Sequence, residues 1–111
     1  MGFVEKIKMK ELQEKIKKFC RENDMEAPLE VRVLDTMSEL GEVAKEVLKM
    51  NNYGKKDLEY REELKGELGD VMYSLITIAN TYDIDLEEAT EMVLKKYEKR
   101  LEKGSASSEN E

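Results

Sequence analysis

Apolar residues recur at intervals of three and four along most of this chain, and this spacing constrains the fold more than any other feature. Such intervals place side chains on one face of a helix, whereas strands alternate at every second residue. Charged residues make up 41% of the 111 residues and aromatic residues only 6%, a mixture that favours exposed helices over a β-sandwich or barrel. We therefore predict one all-α domain with a modest core.

Four helices joined by short connections are expected, and together they predict a four-helix bundle. They cover about residues 4–21, 29–50, 58–82 and 86–103. Pro28 fits the first turn of the second helix, where a missing N–H has no cost. Asp85 is expected to cap the fourth helix, with Glu88 three residues on as in a capping box. The polar residues 104–111 are expected to be a disordered tail outside a domain at 1–103, and the wide apolar stripes predict a homodimer or homotetramer.

Composition and missing residue types exclude several functions. The net charge of −7 argues against a nucleic-acid partner. There is no long apolar run and no signal peptide, so we expect a cytoplasmic protein with no membrane partner. Cys20 has no second cysteine to pair with and fits a buried small side chain better than a nucleophile. The absence of histidine excludes His-based zinc sites and His-dependent nucleophilic catalysis, so a catalytic base must be a carboxylate, Lys, Tyr or metal-bound water.

Two acid pairs of the same form lie within predicted helices, at 39–42 (Glu-Leu-Gly-Glu) and 67–70 (Glu-Leu-Gly-Asp). Residues three apart on a helix share one side and are separated by about 4.5 Å along the axis, so each pair projects two carboxylates in one direction. If the two helices are neighbours, four carboxylates meet, and their repulsion is relieved by a cation. Oxygen ligands favour Mg²⁺ or Mn²⁺. This pattern indicates a helical Mg²⁺ enzyme acting on a phosphate ester or anhydride.

The alternative is that these acids form ordinary solvated helix faces. With 26 acidic residues such pairs arise by chance, and Glu11 with Glu14 is one to which we assign no role. The two focal pairs differ from it because they share one form, with a glycine beside the second acid. They also lie in mid-helix, where neither a cap nor the helix dipole favours a carboxylate.

Residues 38–46 (Ser-Glu-Leu-Gly-Glu-Val-Ala-Lys-Glu) and 63–75 (Glu-Leu-Lys-Gly-Glu-Leu-Gly-Asp-Val-Met-Tyr-Ser-Leu) resemble the MazG-like all-α nucleotide pyrophosphohydrolases. The pattern of that family is Glu-Glu-x-x-Glu, a spacer, then Glu-x-x-Asp. The resemblance continues through 84–89 to the basic stretch 95–100 and covers about residues 5–103. One departure is Ser38, which stands where many members have the first Glu.

The resemblance implies a metal site and an activity. Its metal ligands carry over onto Glu39, Glu42, Glu67 and Asp70. The implied reaction is hydrolysis of a nucleoside triphosphate between the α- and β-phosphates, giving monophosphate and pyrophosphate with Mg²⁺ (or Mn²⁺) as cofactor. Glu39 or Glu42 is the implied catalytic base. The implied role is house-cleaning, the removal of non-standard or surplus nucleotides.

Further residues remain open at this stage. Lys96 and Arg100 share a helix face and are expected to hold the phosphates, although Lys95 and Lys99 form a competing pair, and solubility explains all four about as well. Tyr73 and Asn80 are possible nucleobase contacts that packing and capping also explain, so no nucleobase site is assigned. Two functions remain as alternatives: a non-catalytic helical interaction protein, and a pyrophosphohydrolase of another nucleotide such as phosphoribosyl-ATP.

Overall fold

The structure, a computed structural model, describes residues 6–104 and within them contains helices and no strands. The helices are α1 (Met9–Glu22), α2 (Leu29–Met50), α3 (Glu63–Thr81) and α4 (Leu86–Glu102). The all-α prediction is confirmed, and α2 has the predicted bounds. The predicted start of α1 lies partly outside the described residues, and 6–8 are not helical. The predicted tail at 105–111 also lies outside them.

The start of α3 is the clearest error in the predicted helices. It begins at Glu63, whereas the apolar pattern placed its start near Leu58. Two contacts with α2 hold the preceding segment in another conformation. The amide of Glu59 donates to the carbonyl of Met50 at 2.9 Å, and the guanidinium of Arg61 pairs with the carboxylate of Glu46. These tertiary contacts outweigh the local helix preference of residues 58–62.

Helices α2 and α3 form the most extensive helix contact, and they run antiparallel. Glu46 near the end of α2 meets Arg61 just before α3, whereas Arg32 near the start of α2 interacts with Tyr73 further along α3. We call this contact the α2–α3 seam. Helix α1 packs on α3, and α4 packs mainly on α1.

The buried core is small and lies where α1 meets α3. Ile76 of α3 is fully buried, and Ala79 and Cys20 are 3% and 5% exposed. The burial predicted for Cys20 is therefore confirmed. Its thiol lies 3.1 Å from the hydroxyl of Tyr73, so its one polar atom has a partner.

Gln13 links three helices through a buried amide. Its Nε2 donates to Asn80 Oδ1 at 3.1 Å and to the carbonyl of Ile84 at 2.8 Å, while its Oε1 accepts from the amide of Leu86 at 3.0 Å. Asp85 caps α4 as predicted, accepting from the amides of Glu87 and Glu88 at 2.9 and 3.2 Å. Together these hydrogen bonds fix where α4 begins.

Many apolar side chains of the predicted stripes are exposed in a single chain. Leu34 and Met37 of α2 are 68% and 64% exposed, and α4 has no buried residue. Single exposed apolar residues are ordinary, but a row of them on one helix marks a surface suited to contact. Of the helices described, none is long and apolar enough to cross a membrane.

Candidate metal site and family

The α2–α3 seam brings the two acid pairs together from opposite helices. Because the helices are antiparallel, the pair on α2 lies opposite the pair on α3, about one to two helical turns from the Glu46–Arg61 contact. The side chains of Glu39 and Glu67 are partly buried, whereas those of Glu42 and Asp70 are exposed. The cluster therefore faces solvent on one side and the helix contact on the other.

The electrostatics of Glu39 show that the other three carboxylates act on it. Burial raises the pKa of the Glu39 carboxyl, and the charges of Asp70, Glu67 and Glu42 raise it further, in that order. A side-chain hydrogen bond with Asp70 raises this pKa as well. Burial, the nearby charges and the hydrogen bond all disfavour the charged form of Glu39. This is the expected result when like charges share a partly desolvated site.

The four carboxylates are neighbours, but they do not converge on one point. Among residues 6–104, no group of three or more Asp, Glu, Cys or His side chains is already placed to hold a metal ion. The shared influence on Glu39 and this lack of convergence are compatible. Neighbouring carboxylates need not point at one centre, and rotamer changes move glutamate oxygens by several ångströms without moving the helices.

The donor set fits a hard divalent cation. All four side chains offer oxygen, and the chain has no histidine and only one, distant, cysteine. Such a set suits Mg²⁺ or Mn²⁺ and not zinc, copper or an iron–sulfur cluster. A cation among the four acids also removes the repulsion that raises the pKa of Glu39.

The mid-helix glycines leave open space beside the acids. A Cβ added at Gly41, Gly66 or Gly69 would meet no atom within 4 Å outside its own helix. No other helix of the same chain approaches these glycines closely, so intramolecular helix packing does not account for them. Gly41 and Gly69 each precede the second acid of a pair.

The basic residues of α4 lie on a helix that packs mainly on α1 and does not form the seam. The Lys96 Nζ and the Arg100 guanidinium lie 5.4 and 5.2 Å from the centre of the Tyr97 ring, a cation–π geometry. The competing pair, Lys95 and Lys99, lines a shallow surface groove together with Lys96. The assignment of any of these cations to phosphate binding stays a prediction.

Two buried charged residues on α2 escaped the sequence analysis. Glu46 is 5% exposed and forms an ion pair with Arg61, whose pKa is raised by that hydrogen bond. Arg32 is 9% exposed. Each lies seven residues from Glu39, and seven residues make about two turns, so all three share one helix face. The seven-residue spacing from Glu39 is the sequence signal that could have identified Arg32 and Glu46, because it places all three charged residues on the helix face turned toward α3.

The nucleobase candidates have partners within the chain. The Tyr73 hydroxyl lies against the Cys20 thiol, and burial, followed by this hydrogen bond, raises the pKa of Tyr73. The amide of Asn80 exchanges hydrogen bonds with Gln13, and its side chain also lines a cavity between α1, α2 and α3. Packing thus explains Tyr73, and the assignment of Asn80 to a nucleobase contact stays a prediction.

In this all-α chain two acid-x-x-acid pairs face each other from the antiparallel helices α2 and α3. The chain thus belongs to the class of helical proteins that have a carboxylate cluster between two helices. The comparison with known families makes this specific. The family model described as the MazG nucleotide pyrophosphohydrolase domain matches residues 29–105, which include both acid pairs. The chain belongs to this family.

Individual relatives agree with this assignment. The chain is 43% identical over 65 residues to YpjD of Bacillus subtilis and 36% identical over 70 residues to the Gene 37 protein of Mycobacterium phage L5. These matches span 57% and 61% of the two relatives' lengths and 56% and 61% of this chain.

Solved structures extend the likeness to the fold. The crystal structure of the Bacillus-conserved MazG protein, described as a nucleotide pyrophosphohydrolase, is similar with a TM-score of 0.72 at 28% identity. The structure of YpjD from Bacillus subtilis is similar with a TM-score of 0.71 at 30% identity. Both comparisons cover 85% of this chain, with 93% and 98% of the respective structures.

Proposed function

We propose that this protein is a Mg²⁺-dependent nucleoside triphosphate pyrophosphohydrolase that cleaves between the α- and β-phosphates. The observation that carries the proposal is the opposition of two acid pairs across the α2–α3 seam in a chain of the MazG family. Within that seam, the raised pKa of Glu39 and the charges that raise it support the proposal. A perturbed carboxyl among like charges is typical of a functional site.

Each acid has a proposed role. Glu39, Glu42, Glu67 and Asp70 would hold the divalent ion, which when bound neutralises phosphate charge and activates water for attack. Glu39 or Glu42 would accept the proton of the attacking water, since carboxylates are the bases nearest to the site. Because the rest of the reaction consists of positioning and electrostatic stabilisation, no histidine is required.

The biological role proposed for this activity is the removal of non-standard or surplus nucleotides, in keeping with the family resemblance. The test is a pyrophosphate-release assay across the common nucleoside triphosphates, with and without Mg²⁺. We expect release that depends on Mg²⁺ and yields the monophosphate. Release of orthophosphate would contradict cleavage between the α- and β-phosphates. The absence of any product with every nucleotide would favour the non-catalytic interaction protein.

We further propose that the protein assembles as a homodimer or homotetramer. The support is the row of exposed apolar side chains on α2, together with the exposed apolar residues of α4. Those of α2 are Leu34, Met37 and Leu40, and those of α4 include Met92, Leu94 and Leu101. Light scattering after size-exclusion chromatography tests this proposal, and a monomer at micromolar concentration would contradict it.

A further inference from the structure

The acids of the α2–α3 seam form a row of opposed pairs. Glu39 lies against Asp70, the acid whose carboxylate interacts with it most strongly and shares a hydrogen bond with it. Because α2 and α3 are antiparallel, a step of three or seven residues forward along α2 matches the same step back along α3. We call these opposed pairs rungs, and in order along α2 they are Glu39–Asp70, Glu42–Glu67 and Glu46–Glu63.

The third rung differs from the first two because it contains a cation. The guanidinium of Arg61 pairs with Glu46, and its Nη2 lies 3.8 Å from Oε1 of Glu63. Within residues 6–104, no other basic side chain forms an ion pair with an acid of a rung. Glu46 follows Glu42 by four residues, which is about 6 Å along the helix axis. A positive charge therefore stands about one helical turn from the acids of the proposed metal site.

The contact with Glu46 leaves one end of the Arg61 guanidinium available. The hydrogen bond to Glu46 uses Nε. Among the described residues none accepts a hydrogen bond from Nη1 or Nη2, neither nitrogen is buried, and 40% of the side chain is exposed. These two nitrogens carry their N–H donors in one plane. This end of the guanidinium is thus open to solvent, with the geometry that binds two phosphate oxygens at once.

The charge of a nucleoside triphosphate gives this open end a use that the helix contact does not. The acids of the first two rungs repel phosphate groups, and a metal ion relieves this repulsion only where it is bound. A cation one turn further along the seam relieves it for the rest of the phosphate chain. The outer phosphorus atoms of a triphosphate are separated by a distance of the order of one helical turn, about 5.4 Å. A phosphate chain that begins at the first two rungs can therefore extend to the third.

We propose that Arg61 binds the terminal phosphates of the substrate, the β- and γ-phosphates that leave as pyrophosphate. The proposal rests on the proposed function and adds a substrate contact to the same site. It also gives the substrate a direction along the seam, with the α-phosphate at the acids and the leaving group toward Glu46. Arg61 lies on the seam itself, whereas the basic residues of α4 lie on a helix that packs mainly on α1.

The first test measures the binding of inorganic pyrophosphate with Mg²⁺ by titration calorimetry, which requires no turnover. We expect Arg61→Gln to weaken this binding by about tenfold or more, because charged donors to the phosphates are lost. Glu46→Gln breaks the same ion pair but keeps the guanidinium and an acceptor for Nε, so binding should change by less than about twofold. Equal weakening in both variants would show that Arg61 acts only through the ion pair. That result would overturn the proposal, as would unaltered binding by Arg61→Gln or no binding by the wild type.

A double variant separates phosphate binding from folding. Arg61→Gln alone leaves the buried carboxylate of Glu46 without its cation, which lowers stability. Combining it with Glu46→Gln removes both charges together, and circular dichroism should show an unchanged helical fold. We expect the double variant to bind pyrophosphate at least about tenfold more weakly than Glu46→Gln alone. Equal binding by these two proteins would refute the phosphate contact.

The third test measures kcat/KM for the triphosphate that the pyrophosphate-release screen finds to be hydrolysed fastest. The double variant should have a kcat/KM lower than that of Glu46→Gln by about tenfold or more, mainly through a higher KM. Arg61→Lys should lie between wild type and Arg61→Gln, since lysine supplies the charge without the paired donors. Equal kcat/KM for the double variant and Glu46→Gln would overturn the proposal while leaving the activity in place. If no triphosphate is hydrolysed but pyrophosphate binding still depends on Arg61, the proposed activity fails and the phosphate contact stands.

Discussion

Two regions of the same α2–α3 seam differ in the charges that surround a glutamate of α2. At one flank, Glu46 is 5% exposed and is paired with Arg61. At the centre, Glu39 lies among three other carboxylates, and burial and their charges raise its pKa. Both regions place glutamates of α2 against α3. The difference teaches that the flank joins the helices through opposite charges, whereas the centre sets like charges against one another, as expected for the proposed cation site.

The largest effect expected from this comparison is the loss of activity when a central acid is neutralised. Asp70→Asn keeps the size of the side chain and removes one ligand charge. We expect Mg²⁺-dependent pyrophosphate release to fall by at least about 100-fold, since loss of an outer partner of a metal ligand alone costs roughly 10–100-fold. Circular dichroism should show an unchanged helical fold, and the melting temperature should be equal or higher because repulsion is reduced. Undiminished turnover would remove Asp70 from the site.

The opposite pattern is expected at the flank. Glu46→Gln leaves Arg61 without its anion, and we expect the free energy of unfolding to fall by about 1–3 kcal/mol, less than for a fully buried pair because the Arg61 side chain is 40% exposed. Mg²⁺ affinity should not change. Urea unfolding and calorimetry measure the two quantities, with the exposed Glu14→Gln as a control expected within about 0.5 kcal/mol of wild type. A large loss of Mg²⁺ affinity in Glu46→Gln would contradict the assignment of Glu46 to the helix contact and not to the metal site.

The fold was largely predictable from sequence because helix spacing and caps are local. The bounds of α2 and the Asp85 cap both follow from residues within a few positions of each other. The late start of α3 was not predictable in this way, because it depends on Arg61 meeting Glu46 across the seam. The high exposure of Leu34 in a single chain was not predictable either, because the sequence shows which helix face is apolar but not what covers it.

The candidate site was predictable in its residues and not in its surroundings. The acid pairs are visible because their spacing is helical and local. The burial of Glu46 was not predictable from the local pattern, because it depends on Arg61, a partner that follows α2. Arg32 offered no motif at all. Its burial depends on contacts with Cys20 and the Met25 carbonyl, which form only when the chain is folded.

The pH dependence of stability sharpens the comparison further. A carboxyl whose pKa is raised in the folded state stabilises the fold at low pH, and this contribution is lost as the pH rises from about 4.5 through its folded pKa. Without divalent ions, wild type should therefore lose stability over this range relative to Glu39→Gln. Saturating Mg²⁺ should reverse the difference, because cation binding favours the charged carboxylate. Parallel stability–pH curves for the two proteins, measured by urea unfolding, would contradict the raised pKa.

The smallest effect is expected away from the seam, at the exposed pair between Lys17 and Asp83. Their charged atoms are 3.5 Å apart, with side chains 50% and 86% exposed. Asp83→Asn should change the free energy of unfolding by less than about 0.5 kcal/mol, since solvent and salt screen such pairs. Thermal melts at low and high salt measure this. A change comparable to that of Glu46→Gln would mean that burial does not separate the two kinds of ion pair.

A single substitution at Gln13 would disrupt the hydrogen bonds that attach the start of α4 to α1 and α3. Replacing its NH₂ group by oxygen, as in Gln13→Glu, would turn a donor shared by Asn80 and Ile84 into a third acceptor facing two others. A change of one atom type, far from any carboxylate of the seam, would thus loosen α4 while leaving the chain length, shape and apolar content as they are. Gln13→Glu is therefore a direct way to ask what α4 contributes to the protein.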